Sequence, residues 1–476
     1  MDRVTERPPG SGAAVSARRG WLAPAGLALV MLLSSLGTSV ANVALPTLED
    51  AFGASFGQVR WVVIAYLLAV TTLVVGAGRL GDLAGRRRLL GAGIATFTLA
   101  SVACAVAPEL WVLIVARLAQ GAGAAVMMAL SLALVAGAVP PDRTGSAMGL
   151  MGSASALGTA LGPSLGGLVI AGPGWRAIFL LNLSLGLAAL HLTRRHLPAD
   201  RPAPGAARSL DPAGTLLLVA ALAAYALSMT VGGGPAGGAG LALLGAAAAA
   251  TALLVAAERR AAAPLIDGAT LRDPAIAPGL VTSGVVSTVM MATLVVGPFH
   301  LSRALGLGPA AVGLVMSAGP AVVALTGVPA GRLVDRLGTR PVTLGGLAGM
   351  AAGAVLLALA PASLGVPGYL CPLVLVTLGY SLFQTANNAS VMAAASASRM
   401  GVVSGTLNLS RNLGLITGAS VLGAVFTLGA DTGVTAAAPP ADVAAGTHLT
   451  FAVAAALVLA AAAVALAAGR RSARNP

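Results

Sequence analysis

Fourteen long, uninterrupted apolar stretches restrict this chain more than any other feature. They run over residues 22–46, 58–79, 88–107, 109–138, 144–171, 175–194, 212–231, 239–257, 276–300, 309–330, 341–361, 367–394, 401–428 and 447–469. Most approach or exceed the roughly 20 residues that carry an α-helix across a bilayer. They are continuously apolar rather than alternating, which selects helices over barrel strands. The expected class is an all-α integral membrane protein with 14 transmembrane helices. Composition excludes a soluble protein: 57% of residues are hydrophobic and 9% charged, against about 25% charged in a soluble domain.

All 28 basic residues are Arg, and the net charge is +13. No nucleic-acid partner follows, because the Arg residues sit in connections, where they set topology in the lipid bilayer. With a cytoplasmic N-terminus, the outer connections hold only Arg60, Arg176 and Arg303. Arg117 and Arg411 lie inside spans, and every other Arg falls on the cytoplasmic side. This predicts a multi-pass protein of the cytoplasmic membrane with both termini cytoplasmic. Trp21, Trp61, Trp111 and Trp175 each open a span, where an amphipathic ring prefers the interface. The stretch 21–47 is longer than the apolar core of a cleaved signal peptide, about 7–15 residues, and reads as an uncleaved first span. Cys104 and Cys371 fall in or beside apolar stretches, as packing residues rather than a metal site or disulfide framework.

The chain repeats. Gly78-Arg79-Leu80-Gly81-Asp82-Leu83-Ala84-Gly85-Arg86-Arg87 follows span 2, and Gly331-Arg332-Leu333-Val334-Asp335-Arg336-Leu337-Gly338-Thr339-Arg340 follows span 10. The copies lie 253 residues apart and agree at six of ten positions. Two copies at equivalent places predict two homologous halves, a common build of secondary transporters. The expected organisation is a tail (1–20), an N-terminal six-helix half (21–195), two inserted central helices (211–258), a C-terminal six-helix half (275–469) and a tail (470–476). In the loops, Gly78, Gly85, Gly331 and Gly338 permit tight turns and close approach. Asp82, with Asp335 as its counterpart, can cap or pair with a neighbouring helix N-terminus. Arg86 faces anionic lipid. Two readings stay open, a topology anchor and a conformational latch between the halves.

Arg117 is a charge inside a span, which is costly and marks a functional candidate. Gln120, three residues on, shares its face. The other reading is structural, with Arg117 bonding carbonyls of a neighbouring helix. A second polar cluster comprises Gln384, Asn387 and Asn388 in span 12 and Asn408 and Arg411 in span 13. It serves either a substrate cavity or inter-helix bonding. His300, near the outer end of span 9, can titrate or be structural. Gly158, Gly162 and Gly166 repeat at i, i+4, i+8, so one face of span 5 admits close approach of another helix. Pro163 removes a backbone hydrogen bond there. That face is either a seal or hinge between the halves or ordinary small-residue packing. Met127-Met128 and Met290-Met291 are adaptable apolar surface or plain packing.

These segments resemble the major facilitator superfamily. The twin loops look like its motif A. Arg117-Leu118-Ala119-Gln120-Gly121-Ala122-Gly123-Ala124 is similar to motif B, and Gly158-Thr159-Ala160-Leu161-Gly162-Pro163-Ser164-Leu165-Gly166-Gly167 to motif C, the antiporter signature. Further segments narrow the resemblance to the fourteen-span drug:proton antiporter branch, the EmrB/QacA type. They are Asn42-Val43-Ala44-Leu45-Pro46, Ala65-Tyr66-Leu67-Leu68, Trp175-Arg176-Ala177-Ile178-Phe179 with Asn182, Glu258 with Pro264-Leu265, and Gly405-Thr406-Leu407-Asn408 with Arg411 and Gly414. The resemblance implies a major facilitator fold: two six-helix halves plus two central inserted helices. It implies export of a drug, antibiotic or self-made metabolite by alternating access, with proton-motive force as energy source and no cofactor. It also implies that Arg117 lines the central cavity and takes part in proton movement, with Asn42 and Tyr66 on the same pathway.

One departure bears on substrate. The branch usually has an acid five positions before Asn42, where this chain has Gly37. None of the 15 acidic residues falls well inside a span, and Glu49, Asp50, Glu109, Asp431 and Asp442 fall on outer segments. Without a cavity carboxylate, a neutral or anionic small molecule is expected over a lipophilic cation. The proton-coupling candidates are then Glu109, Asp82 and His300. No metal-ligand cluster, His-Glu-x-x-His or buried carboxylate pair suggests an enzyme. A facilitator or uptake carrier and a non-transporting sensor are the competing readings, and a monomer is compatible with the sequence.

Overall fold

The computed structural model describes residues 11–138, 144–197, 212–228, 237–258, 271–394, 400–430 and 438–472. Pro264, Leu265 and Asp431, and the side chains of Trp21 and Asp82, lie outside the described set. The apolar stretches fold into helices α1 Ser11–Phe52, α2 Trp61–Ala84, α3 Arg86–Ala105, α4 Leu110–Ala138, α5 Thr144–Ala171, α6 Trp175–His196, α7 Pro212–Ser228 and α8 Gly238–Glu258. There follow α9 Ala277–Phe299, α10 Pro309–Leu337, α11 Thr339–Leu359, α12 Gly365–Ala393, α13 Met400–Thr417 and α14 Pro440–Ser472. Two π-turns extend this pattern: His300–Ala304 continues α9, and Gly418–Leu422 links α13 to the short helix Gly423–Gly429. Among the described residues, twelve helices are long and apolar enough to cross a membrane, and Leu157–Ala171 and Leu216–Ser228 are shorter apolar segments.

The repeat read from the sequence reappears as packing. In the first six helices α1 packs on α5 and α6, α2 on α4, and α3 on α4 and α6. In the last six, α9 packs on α13 and α14, α10 on α12, and α11 on α12 and α14. Gly93 and Gly346, again 253 residues apart, each sit where a Cβ would crowd a neighbouring helix. Helices α7 and α8 pack on one another, and α7 touches α2.

The motif A segments are not loops. Gly78–Ala84 and Gly331–Leu337 are the last turns of α2 and α10. The turn itself is a single residue in each copy, Gly85 at φ 94° and Gly338 at φ 84°, a region open to Gly at no steric cost. Gly78 and Gly331 meet open space instead, and Asp335 is exposed. The interfacial placement of Trp also divides. Trp111 is exposed, whereas Trp175 is buried between Phe52 and Phe179. Of the two free cysteines, Cys104 is buried and Cys371 exposed.

The apolar core sets the state of the molecule. At the distal end, where α1 finishes and α2 begins, one buried cluster joins both halves: Val40, Leu48 and Phe56 with Val296, Phe299 and Phe426. At the proximal end, where α1 begins, the clusters separate. One comprises Leu27, Leu90, Leu130 and Met151 of the N-terminal half. The other comprises Ile276, Leu280, Val391, Val403 and Leu407 of the C-terminal half. The halves therefore share a core distally and split proximally.

Candidate functional site

Arg117 is fully enclosed, at 0% exposure. Its Nε donates to the Val62 carbonyl at 2.9 Å and its Nη1 to the Gly37 carbonyl at 3.0 Å and to Gln120 Oε1. The guanidinium lies 4.2 Å from the Tyr66 ring centroid. Carbonyl acceptors and an aromatic face thus compensate the charge without a carboxylate. Gln120 Nε2 in turn donates to Ser101 Oγ at 2.6 Å, and Tyr66 Oη to the Ser34 carbonyl at 2.9 Å. The cluster knits α1, α2, α3 and α4 together. It forms because Gly121 and Gly123 let α4 approach the backbones of Tyr66 and Phe97. Arg117 does not line an open cavity in this conformation; close packing has drawn it into the interior of its own half. Asn42 is buried two turns along α1, with Nδ2 3.4 Å from the Thr38 carbonyl and Oδ1 unpartnered.

Gly37 faces the same cluster. A Cβ there would lie 2.9 Å from Phe97 Cζ and 3.5 Å from Tyr66 Oη. The space an acid would need is filled by an aromatic ring.

The C-terminal candidates lie elsewhere. Gln384 Nε2 donates to Asn388 Oδ1 at 3.2 Å, and Asn387 Nδ2 ties α12 to the Gly279 carbonyl of α9 at 3.1 Å. Asn408 is exposed and Arg411 partly exposed on α13. His300 is buried distally, its Nδ1 3.2 Å from Thr447 Oγ1 and its ring stacked 5.4 Å from Tyr369. None of Arg117's partners belongs to the C-terminal half.

The motif C glycines divide. A Cβ at Gly158, Gly162 or Gly166 would crowd Leu32, Ser39 or Val40, all on α1 within the same half. The contact between halves is made by Gly167, whose Cβ would lie 2.9 Å from the Gly313 Cα on α10, and by the Pro163 carbonyl beside it. The seam therefore runs one residue round from the i, i+4, i+8 face. Pro163 sits inside a continuous α5.

Sequence reasoning missed the distal closure. Arg60 is 3% exposed and donates from Nη1 to the Ser420 carbonyl at 3.1 Å. Arg303 bonds Asp50 and lies 3.6 Å from Glu49 Oε2. Phe56 makes edge contacts with Phe299 at 4.7 Å and Phe426 at 5.1 Å. Glu49, read as an outer-segment acid, is 1% exposed, and Glu258 at the end of α8 is buried too. The available signal was the topology count: Arg60 and Arg303 are two of three Arg placed on the side where Arg is scarce.

The Major Facilitator Superfamily family model matches residues 27–419. The multidrug resistance protein Stp of Mycobacterium tuberculosis is 34% identical, over 84% of this chain and 74% of that protein. A probable actinorhodin transporter of Streptomyces coelicolor is 31% identical over 86% and 72%, and the riboflavin transporter RibZ of Clostridioides difficile 29% over 86% and 89%. The fold is shared with a bacterial homolog of the human lysosomal transporter Spinster, at TM-score 0.70 and 14% identity over 97% of this chain and 98% of that one. The chain is a multi-pass membrane transporter and not an enzyme, and it belongs to the Major Facilitator Superfamily.

Proposed function

We propose that the chain exports small amphipathic compounds from the cytoplasm by alternating access, driven by proton antiport. The carrying observation is the core that is joined distally and split proximally, one of the two states alternating access requires. In this reading all fourteen helices span the cytoplasmic membrane, both termini are cytoplasmic, and the open proximal end faces the cytoplasm. Relatives named for multidrug resistance support efflux. A monomer with no cofactor suffices. Glu49 joins His300 as a buried titratable group at the distal closure, so proton coupling has a candidate despite Gly37.

The test is flux in everted vesicles under an imposed pH gradient. N-phenylnaphthylamine and anilinonaphthalene sulfonate should accumulate with an inside-acid gradient, and collapse of that gradient by a protonophore should stop them. Uptake that ignores the gradient would refute proton coupling while leaving export intact.

A further inference from the structure

The proposed export pathway needs a feature that recognises substrate, and the enclosed Arg117 is not accessible to one in this conformation. Arg411 differs. It is partly exposed, and no hydrogen bond or ion pair engages it among the described residues. Its direction follows from helix geometry. Ser410 donates to the Leu280 carbonyl at 2.6 Å, Gly414 packs on Gly284 and Ser287, and Gly418 on Thr288. The line 410–414–418 thus faces α9. Thr417, the α13 residue beside the Tyr225 hydroxyl, marks the side of α13 turned to the inserted helix α7. At about 100° per residue, Arg411 and Asn408 share a face on the other side of the α9 line from Thr417. Arg411 is also level with Leu280, in the proximal region where the cores have separated. A guanidinium held against hydrocarbon at that depth is strongly disfavoured, so the open space between the halves is where it belongs.

We infer that Arg411, with Asn408 one turn before it, forms an anion-recognition subsite for a carboxylate, phenolate or sulfonate borne by an amphipathic substrate. This rests on the export reading above. A planar fork of donors matches a carboxylate or sulfonate bidentately and a phenolate through its single oxygen. Among the described residues, Gln384 and Asn388 on α12 of the same half add partly exposed amides.

Binding tests this apart from flux. Anilinonaphthalene sulfonate and N-phenylnaphthylamine share one scaffold and differ in the sulfonate. Their Kd values are measured by fluorescence on the purified full chain in nanodiscs, for the wild type, Arg411→Gln and Arg411→Lys. The wild type should bind the sulfonate more tightly than its neutral parent. Arg411→Gln should reduce that preference about tenfold, the loss of one charge-assisted hydrogen bond, and Arg411→Lys should restore part of it. Equal weakening of both probes in Arg411→Gln, or an unchanged preference, overturns the subsite, as does a wild type with no saturable sulfonate binding. Selective binding with no flux at all, whether or not a gradient is imposed, would sink the export reading and leave the subsite standing.

Discussion

Arg60 of the N-terminal half places Nη1 3.1 Å from the Ser420 carbonyl of the C-terminal half, inside the π-turn Gly418–Leu422. The other π-turn among the described residues, His300–Ala304, carries Arg303, which reaches back to Asp50 and Glu49. Each half therefore sends one Arg across the distal closure, and in both cases the C-terminal partner is a π-turn. Such turns are frequent at functional sites. Here they sit where the two halves pack together distally.

Truncating Arg60 should loosen the distal end. Arg60→Gln removes a hydrogen bond from a charged donor, an effect of about 1.5–3 kcal/mol. A reporter cysteine at Thr293, buried in α9, placed in a Cys104→Ser, Cys371→Ser background, should then react about tenfold faster with an impermeant maleimide applied from the distal side. Unchanged labelling would mean that Arg60 is packing and not a latch.

The acids around Arg303 should differ in weight. Glu49 is enclosed, whereas Asp50 is 52% exposed. An exposed pair contributes about 0–1 kcal/mol, while solvent screens the enclosed Glu49 carboxylate much less. Glu49→Gln should therefore slow efflux several-fold more than Asp50→Asn. Exchanging the pair, Glu49→Arg with Arg303→Glu, should recover part of the loss. Equal effects from both acids would show that solvent screens the whole cluster.

Restoring the acid at Gly37 should fail alone. An Asp Cβ would stand 2.9 Å from Phe97 Cζ, tighter than packed carbons allow, and overpacking costs about 1–3 kcal/mol. Gly37→Asp should lower Tm by a few degrees, roughly as expected for such a loss. Gly37→Asp with Phe97→Leu should regain most of it and gain efflux of ethidium. A single variant as stable as wild type would show that the ring yields freely.

The limits of the sequence reading have physical causes. Helix positions were legible because a continuous apolar run has one solution in lipid; α5 was expected at 144–171 and is Thr144–Ala171. The repeat was legible because Gly85 and Gly338 must keep positive φ. The direction of a side chain was not. Spacing placed Gly158, Gly162 and Gly166 on one face but could not say that α1, rather than the other half, fills it. A charge inside a span marked Arg117, yet whether carbonyls of its own half would satisfy it depends on close approaches at Gly121 and Gly123. The Arg60–Ser420 contact joins residues 360 apart through a backbone carbonyl, which leaves no side-chain signature to read.

The two kinds of glycine on α5 lead to a last prediction. Gly162 packs against Ser39 on α1, so a methyl there pushes apart two helices of one half, which on the alternating-access reading move together. Gly313 packs against Gly167 and the Pro163 carbonyl of the other half, so on the alternating-access reading a methyl there obstructs a surface that meets only when the distal end is closed. Gly162→Ala should consequently lower Tm by a few degrees and slow efflux in proportion to folded protein. Gly313→Ala should leave Tm nearly unchanged, because each half keeps its own core, yet should hold the distal end apart. Its signature is fast labelling at Thr293→Cys together with loss of efflux. If instead Gly313→Ala lowers Tm as much as Gly162→Ala and leaves labelling slow, the α5–α10 contact is a permanent interface, and the moving seam lies elsewhere.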